Sequence, residues 1–200
     1  MANKRVEQAK ATKQKILDAS QKLFGEKGFL NTTIDDIALE CGIGRGTLYH
    51  YFSGKDAIFS YIERGRFQEI HTFVEEMDCE NVFDKLSNFI SKWFDCVASD
   101  NLNVSKDWHR LSVELKVPSA EKRTHLDDDI DNISAYLKEA VTNHELAPTL
   151  PVESIAKDIV FSMYGASFYR CSTYNPFNIT KWSQDFVTDV LELHLSPYRL

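Results

Sequence analysis

The chain predicts an all-α protein: an N-terminal three-helix unit built around a helix-turn-helix, then a larger helical body, about nine helices in all. Three observations carry this. Apolar residues recur at helical spacing through most of the 200 residues. No segment alternates with the period of two that marks a strand. Cys41-Gly42-Ile43-Gly44 puts two glycines in a four-residue break between two short segments with apolar faces. The boundary is placed after residue 58, giving a helix-turn-helix domain with an N-terminal arm over 1–58 and a second domain over 59–200. A composition of 43% hydrophobic and 12% aromatic residues is enough to close a core. Only 8 Gly and 5 Pro exclude collagen-like or low-complexity chains. No apolar run approaches the roughly 18 residues of a bilayer span, and Met1 to Lys15 lacks the apolar stretch of a secretory signal. The expectation is a cytoplasmic protein with no membrane partner.

The first helix is expected from Thr12 to Lys27, where Ile16, Leu17, Leu23 and Phe24 share a face and Gly28 follows as a stop. Thr32 and Thr33 stand three residues before Asp35 and Asp36, a capping pattern that opens a second helix from about Thr33 to Glu40. A third, from about Arg45 to Tyr51, follows the glycine break. Ser53 and Asp56 open a longer one to about Met77. A fifth helix follows from Val82 through Val97. Asp100 to Asn103 reads as a polar break before a sixth at Trp108–Val117. The seventh has Leu126, Ile130, Ile133, Leu137 and Val141 on its face, and its early Asp127, Asp128, Asp129 and Asp131 read as a solvated first turn that favours the dipole. Glu153–Thr173 and Thr180–Leu195 complete the set, punctuated by Pro148, Pro151, Pro176 and Pro197.

Charge divides the chain. Residues 1–55 carry nine Lys/Arg against six Asp/Glu, a net of +3, and residues 56–200 carry fourteen against twenty-four, a net of −10. A basic head on an acidic body suits a regulator that docks on DNA by its head alone. Cys41, Cys79, Cys96 and Cys171 have no ligand spacing and read as separate buried thiols, with a redox-sensing thiol as the alternative. His50, His71 and His109 show no H-E-x-x-H spacing, so no metal or cofactor is expected. The absence of G-x-S-x-G, P-loop and dinucleotide fingerprints argues against an enzyme.

In the helix-turn-helix, Ala38 is small at the crossing, Gly42 suits a left-handed turn and Leu48 faces inward. Arg45, Thr47, Tyr49 and His50 project donors from the second helix. Gly44 and Gly46 let backbone approach a phosphate, and Lys55 lies at the start of the next helix. Arg45 can read a guanine edge or meet a phosphate.

These residues resemble the TetR family of bacterial transcriptional regulators. The likeness runs from ILDASQKLFGEKGF, Ile16 to Phe29, into TTIDDIALECGIGRGTLYHYFSGKDAIF, Thr32 to Phe59, about a quarter of the chain. It implies phosphate contacts from Thr33, Thr47, Tyr49 and Lys55, and a base-reading surface of Arg45, Gly46 and His50. Gly44 departs from the Ser or Thr common at that position and supplies no hydroxyl for a cap or phosphate contact. Lys4, Arg5, Lys10 and Lys13 form a basic arm that either adds backbone or minor-groove contacts or stays disordered.

The resemblance also implies that the body binds a small-molecule effector and pairs with a second copy. The aromatic load supplies candidate ligand residues: Phe89, Trp93, Trp108, Tyr164 and Phe168, with His109 and Arg110 as polar handles. The implied dimer interface is a four-helix bundle from the last two helices, using Ile159, Met163, Ala166, Trp182, Phe186, Val190 and Leu193. Two-fold symmetry predicts a palindromic double-stranded operator. The helix from about Lys55 to Met77 is expected to transmit effector binding, and repression is expected over activation. The rival reading is a helical small-molecule or protein-interaction module without specific DNA binding, which would show no salt-sensitive duplex affinity.

Overall fold

The computed structural model describes residues 2–100, 102–114, 124–172 and 177–200. Among these residues the protein is helical, with no strand and one isolated bridge between Leu146 and Arg199. No described helix is long and apolar enough to cross a membrane. The described residues form two compact units: 2–65 with 102–114, and 66–100 with 124–172 and 177–200. The boundary expected after residue 58 therefore falls seven residues later, and the first unit also takes a helix from further along the chain.

In the first unit, α1 spans Ala2–Lys27, α2 Ile34–Cys41 and α3 Arg45–Tyr51, followed by the first half of α4, Lys55–Glu75. α1 begins ten residues before the expected Thr12. No Gly or Pro interrupts it before Gly25, and Glu7, Gln8, Ala9, Lys10 and Ala11 are strong helix formers. The basic arm is thus helical, and Lys13 Nζ sits 3.7 Å from the centre of the Tyr61 ring. Ile16, Ile37, Leu48 and Ile58 are fully buried. Phe24, Phe29 and Phe59 form a triangle with ring centres 5.2–5.7 Å apart. α6, Leu102–Glu114, starts inside the expected polar break, six residues before Trp108. Its Asp107 carboxylate accepts the Phe29 N–H at 2.8 Å, tying α6 to the end of α1. The expected end of this helix at Val117 lies outside the described residues.

The second unit comprises the rest of α4 and α5 (Val82–Ser99), α7 (His125–Thr142), α8 (Val152–Ser172) and α9 (Ile179–Asp185). α9 continues through a π turn, Phe186–Leu191, into α10, Glu192–Leu195, and a 3-10 turn, Ser196–Tyr198. Together they form the expected ninth helix. Leu86, Phe89, Ile90 and Trp93 of α5 are fully buried, with Ile133 and Leu137 of α7 and Met163 of α8. Each such side chain contributes about 1.5–3 kcal/mol by leaving water. Two arginines satisfy the last carbonyls of α5. Arg66 donates to Cys96 O at 3.1 Å and pairs with Asp100 at 3.0 Å, and Arg170 donates to Val97 O and Asp100 O. The chain end is held by Ala147 N–H donating to Tyr198 O at 2.7 Å.

Candidate nucleic-acid interface

The site is built on α2, the turn and α3. Thr33 caps α2: its hydroxyl oxygen accepts the Asp36 N–H at 3.1 Å, while the Asp36 carboxylate accepts both the Thr33 N–H and its hydroxyl. These hydrogen bonds, with Lys27 at 3.1 Å, hold the Asp36 carboxyl down at about 2. Gly42 ends α2 in the left-handed conformation, φ 63°, and the N–H groups of Gly42 and Ile43 return to Leu39 O and Ala38 O. That closure turns the chain in two residues, and Gly44 then starts α3 with no side-chain cap.

On α3 the single fully buried side chain is Leu48, and Phe52 follows at 6% exposure. Arg45, Gly46, Thr47, Tyr49 and His50 are all exposed, as are Thr33 and Gly44. A β-carbon added at Gly44 or Gly46 would meet nothing within 4 Å, and neither residue has a positive φ. Nothing inside the protein therefore demands glycine there, whereas a backbone approaching from outside would.

Besides Thr33, held in its capping box, two more of the expected contact residues are engaged within the chain. Lys55 donates to the carbonyls of Phe29, Leu30 and Thr32 at 2.9, 3.3 and 3.0 Å and lies 4.4 Å from the Phe29 ring centre. An ammonium has three N–H groups, and here all three hold the loop between α1 and α2, so the phosphate contact implied for Lys55 would require it to leave one of these carbonyls. Arg45 is held in a bidentate fork by Asp35 of α2. By its place in the sequence Asp35 is only a possible cap. Its signal was charge alone, an Asp and an Arg on either side of a turn short enough to bring two helix starts together.

The expected ligand residues do not form one group. Trp108 is buried in the first unit, beside half-buried His109 and exposed Arg110. Phe168 is 59% exposed. Phe89, Trp93 and Tyr164, by contrast, surround a polar cluster in the second unit. Asp129, read from sequence as part of a solvated turn, is 1% exposed. Its carboxylate accepts from Tyr164 Oη at 2.9 Å and Trp93 Nε1 at 3.3 Å, and stands 3.4 Å from His71 Nε2. The imidazole also meets Tyr136 Oη at 3.1 Å and the Asn132 amide, and stacks on Phe89 with ring centres 4.8 Å apart. Burial and then the Asp129 charge push the Tyr164 hydroxyl well above its ordinary pKa, and burial and then Glu75 do the same for Tyr136. His71, Asn132 and Tyr136 also face an open cleft of about 480 Å³ lined by Gln68, Glu75 and Glu76. The missed signal for Asp129 was its phase: it lies four residues before Ile133 and eight before Leu137, on the buried face of α7.

Of the expected dimer residues, Ile159, Met163, Ala166 and Phe186 are buried within their own chain, and Trp182 and Val190 are half-buried. Trp182 stacks on Phe186 and meets the edge of Phe94. Leu193 is 70% exposed. The outward face of α8 instead presents Phe161, Gly165, Phe168 and Tyr169.

Residues 16–62 match the model of the bacterial regulatory proteins of the tetR family. The chain is 26% identical over 209 residues to the HTH-type transcriptional regulator AcrR of Shigella flexneri, covering 98% of this chain and 94% of that protein. It is 24% identical over 159 residues to the fatty acid metabolism regulator protein of Bacillus subtilis, covering 73% and 76%. Among solved structures, a TetR-family regulator of Syntrophomonas wolfei superposes with a TM-score of 0.75 at 21% identity, covering 92% of this chain and 95% of that one. The regulator FadR of Bacillus subtilis in complex with stearoyl-CoA does so with 0.70 at 20% identity, covering 92% and 97%. The capped α2, the left-handed glycine turn and the short α3 all fall inside the matched segment, so residues 16–62 carry a tetR-family helix-turn-helix, and the chain as a whole is similar to HTH-type transcriptional regulators.

Proposed function

We propose that the protein is a dimeric repressor whose α3 helices enter successive major grooves of a palindromic operator and leave when a small molecule binds the second unit. The observation that carries the reading is the exposed face of α3 over buried Leu48, where donors alternate with glycines that the fold itself does not require. Arg45, Thr47, Tyr49 and His50 supply the side-chain donors, and Gly44 and Gly46 give a phosphate access to backbone N–H groups. The pairing surface that fits burial best is the outward face of α8 with Leu193.

The effector is assigned to the Asp129 cluster, reached through the cleft beside His71 and Tyr136. A stearoyl-CoA complex in the B. subtilis neighbour makes an acyl thioester one candidate class. Buried Asp129 and the carboxylates of Glu75 and Glu76 favour a neutral or cationic molecule with hydrogen-bond donors over a polyanion. Because His71 lies on α4, which also begins at the helix-turn-helix, a ligand that displaces the imidazole has a direct covalent path to α3. Differential affinity for the two states typically supplies about 1–3 kcal/mol of coupling.

The test is selection of bound duplexes from a random pool, then anisotropy titration of the enriched sequence across a salt series, with sedimentation of the complex. A palindrome bound by two copies with a steep salt slope is expected. Release by a lipophilic ammonium but not by stearoyl-CoA supports the effector class, and the opposite result reverses it.

A further inference from the structure

Arg45 is the first residue of α3 and Asp35 the second of α2. The Asp35 carboxylate accepts from both Nε and Nη2 of Arg45, yet the two side chains stay 54% and 66% exposed. A pair this exposed contributes little to stability, because water competes for both partners. Nor does the helix need the carboxylate for its cap, since Asp36 closes the box with Thr33. A negative charge beside an operator-reading residue costs affinity for a polyanion. Its benefit has to be geometric.

The guanidinium carries five N–H groups in one plane. The fork with Asp35 takes Nε–H and one hydrogen of Nη2. The hydrogens left on Nη1 and Nη2 include a parallel pair pointing away from Asp35 along the side-chain axis. That end-on pair matches the O6 and N7 acceptors that guanine presents in the major groove. The fork also fixes a long side chain in advance, so less rotamer freedom is lost when the base is met.

We propose that Asp35 is a positioning residue that presents Arg45 end-on to one guanine in each half-site, so that it sets selectivity there while opposing overall affinity. This goes beyond the repressor reading by naming the base, and it rests on the placement of α3 in the major groove.

The experiment selects duplexes with the full-length protein and with Asp35→Ala, Asp35→Asn, Arg45→Lys, Arg45→Ala and the double alanine variant. Each then binds the enriched operator and a copy with the guanine changed to adenine, and melting curves establish that each variant is folded. Wild type is expected to prefer guanine by about 10- to 100-fold. Both Arg45 variants lose that preference, and Lys keeps its salt-sensitive phosphate affinity. Asp35→Ala binds as tightly or more tightly at low salt, while its preference falls to a few-fold. Asp35→Asn, which keeps one acceptor, lies between, and the double variant loses no more selectivity than Arg45→Ala. An Asp35→Ala protein with undiminished guanine preference overturns the role of Asp35, as does an enriched palindrome with no base that depends on Arg45. Failure of the wild type to enrich any sequence overturns the major-groove reading itself, and this inference with it.

Discussion

Gly46 separates the needs of the fold from those of the ligand at a single atom. A methyl group there meets nothing within 4 Å, and the residue lies in α3 without a positive φ. Gly46→Ala should therefore raise stability by about 0.5–1 kcal/mol through lower chain entropy in the unfolded state. In the proposed docking the same methyl meets the operator backbone, so operator affinity should fall while the melting temperature rises. A higher melting temperature with unchanged affinity would take Gly46 off the interface. Asp129 tests the opposite situation, a buried acceptor. Asp129→Ala removes the partner of Tyr164 Oη and Trp93 Nε1 together, and each orphaned donor costs about 1–3 kcal/mol. Denaturant melts should show that loss, with Asp129→Asn recovering part of it.

At the scale of elements, the caps were the most legible part of the sequence and the buried polar groups the least. α3 falls on its expected residues, and α2 begins one residue after its expected cap, because Thr33, Asp36 and Gly42 fix those ends through local hydrogen bonds that one segment of sequence specifies. The start of α1 is not legible from periodicity, because its first ten residues have helix propensity without an apolar face. Asp129 was misread because charge type outweighed phase, although its register with Ile133 and Leu137 already put it inside. The loop clamp made by Lys55 was not legible because its partners are carbonyls, which no side-chain pattern reveals. The α2 cap has a pH consequence. The Asp36 carboxyl is depressed to about 2 from about 3.8, so its stabilising effect is complete above about pH 4 and is lost as pH falls through about 2. In Asp36→Asn the acid limb of helicity between those values should flatten, and an unchanged limb would assign it to other carboxylates.

Across the whole molecule, the first unit is discontinuous, and that constrains how the protein can be divided. A fragment of residues 1–65 lacks Asp107, leaving the Phe29 N–H without its acceptor and α1 without the helix packed on it. Such a fragment should melt below the intact chain and bind the operator more weakly. The pairing surface belongs to this scale too. Phe168→Glu puts a charge on the outward face of α8 without entering the core, since Phe168 is 59% exposed. Sedimentation at micromolar concentration should then show monomer, with the helical content of the wild type, and a persistent dimer would move the interface elsewhere.

The π turn at Phe186–Leu191 is wider than an α turn, so it is the place where the last helix can absorb a change of length. Leu191 in the turn and Leu195 beyond it are buried, and Tyr198 O accepts the Ala147 N–H, so the segment past the turn is fixed on the second unit. A residue removed from the turn would close it to an α turn and leave Leu195 seated and Leu193 facing outward. A lineage could thus lose one codon there without changing which copies recognise each other.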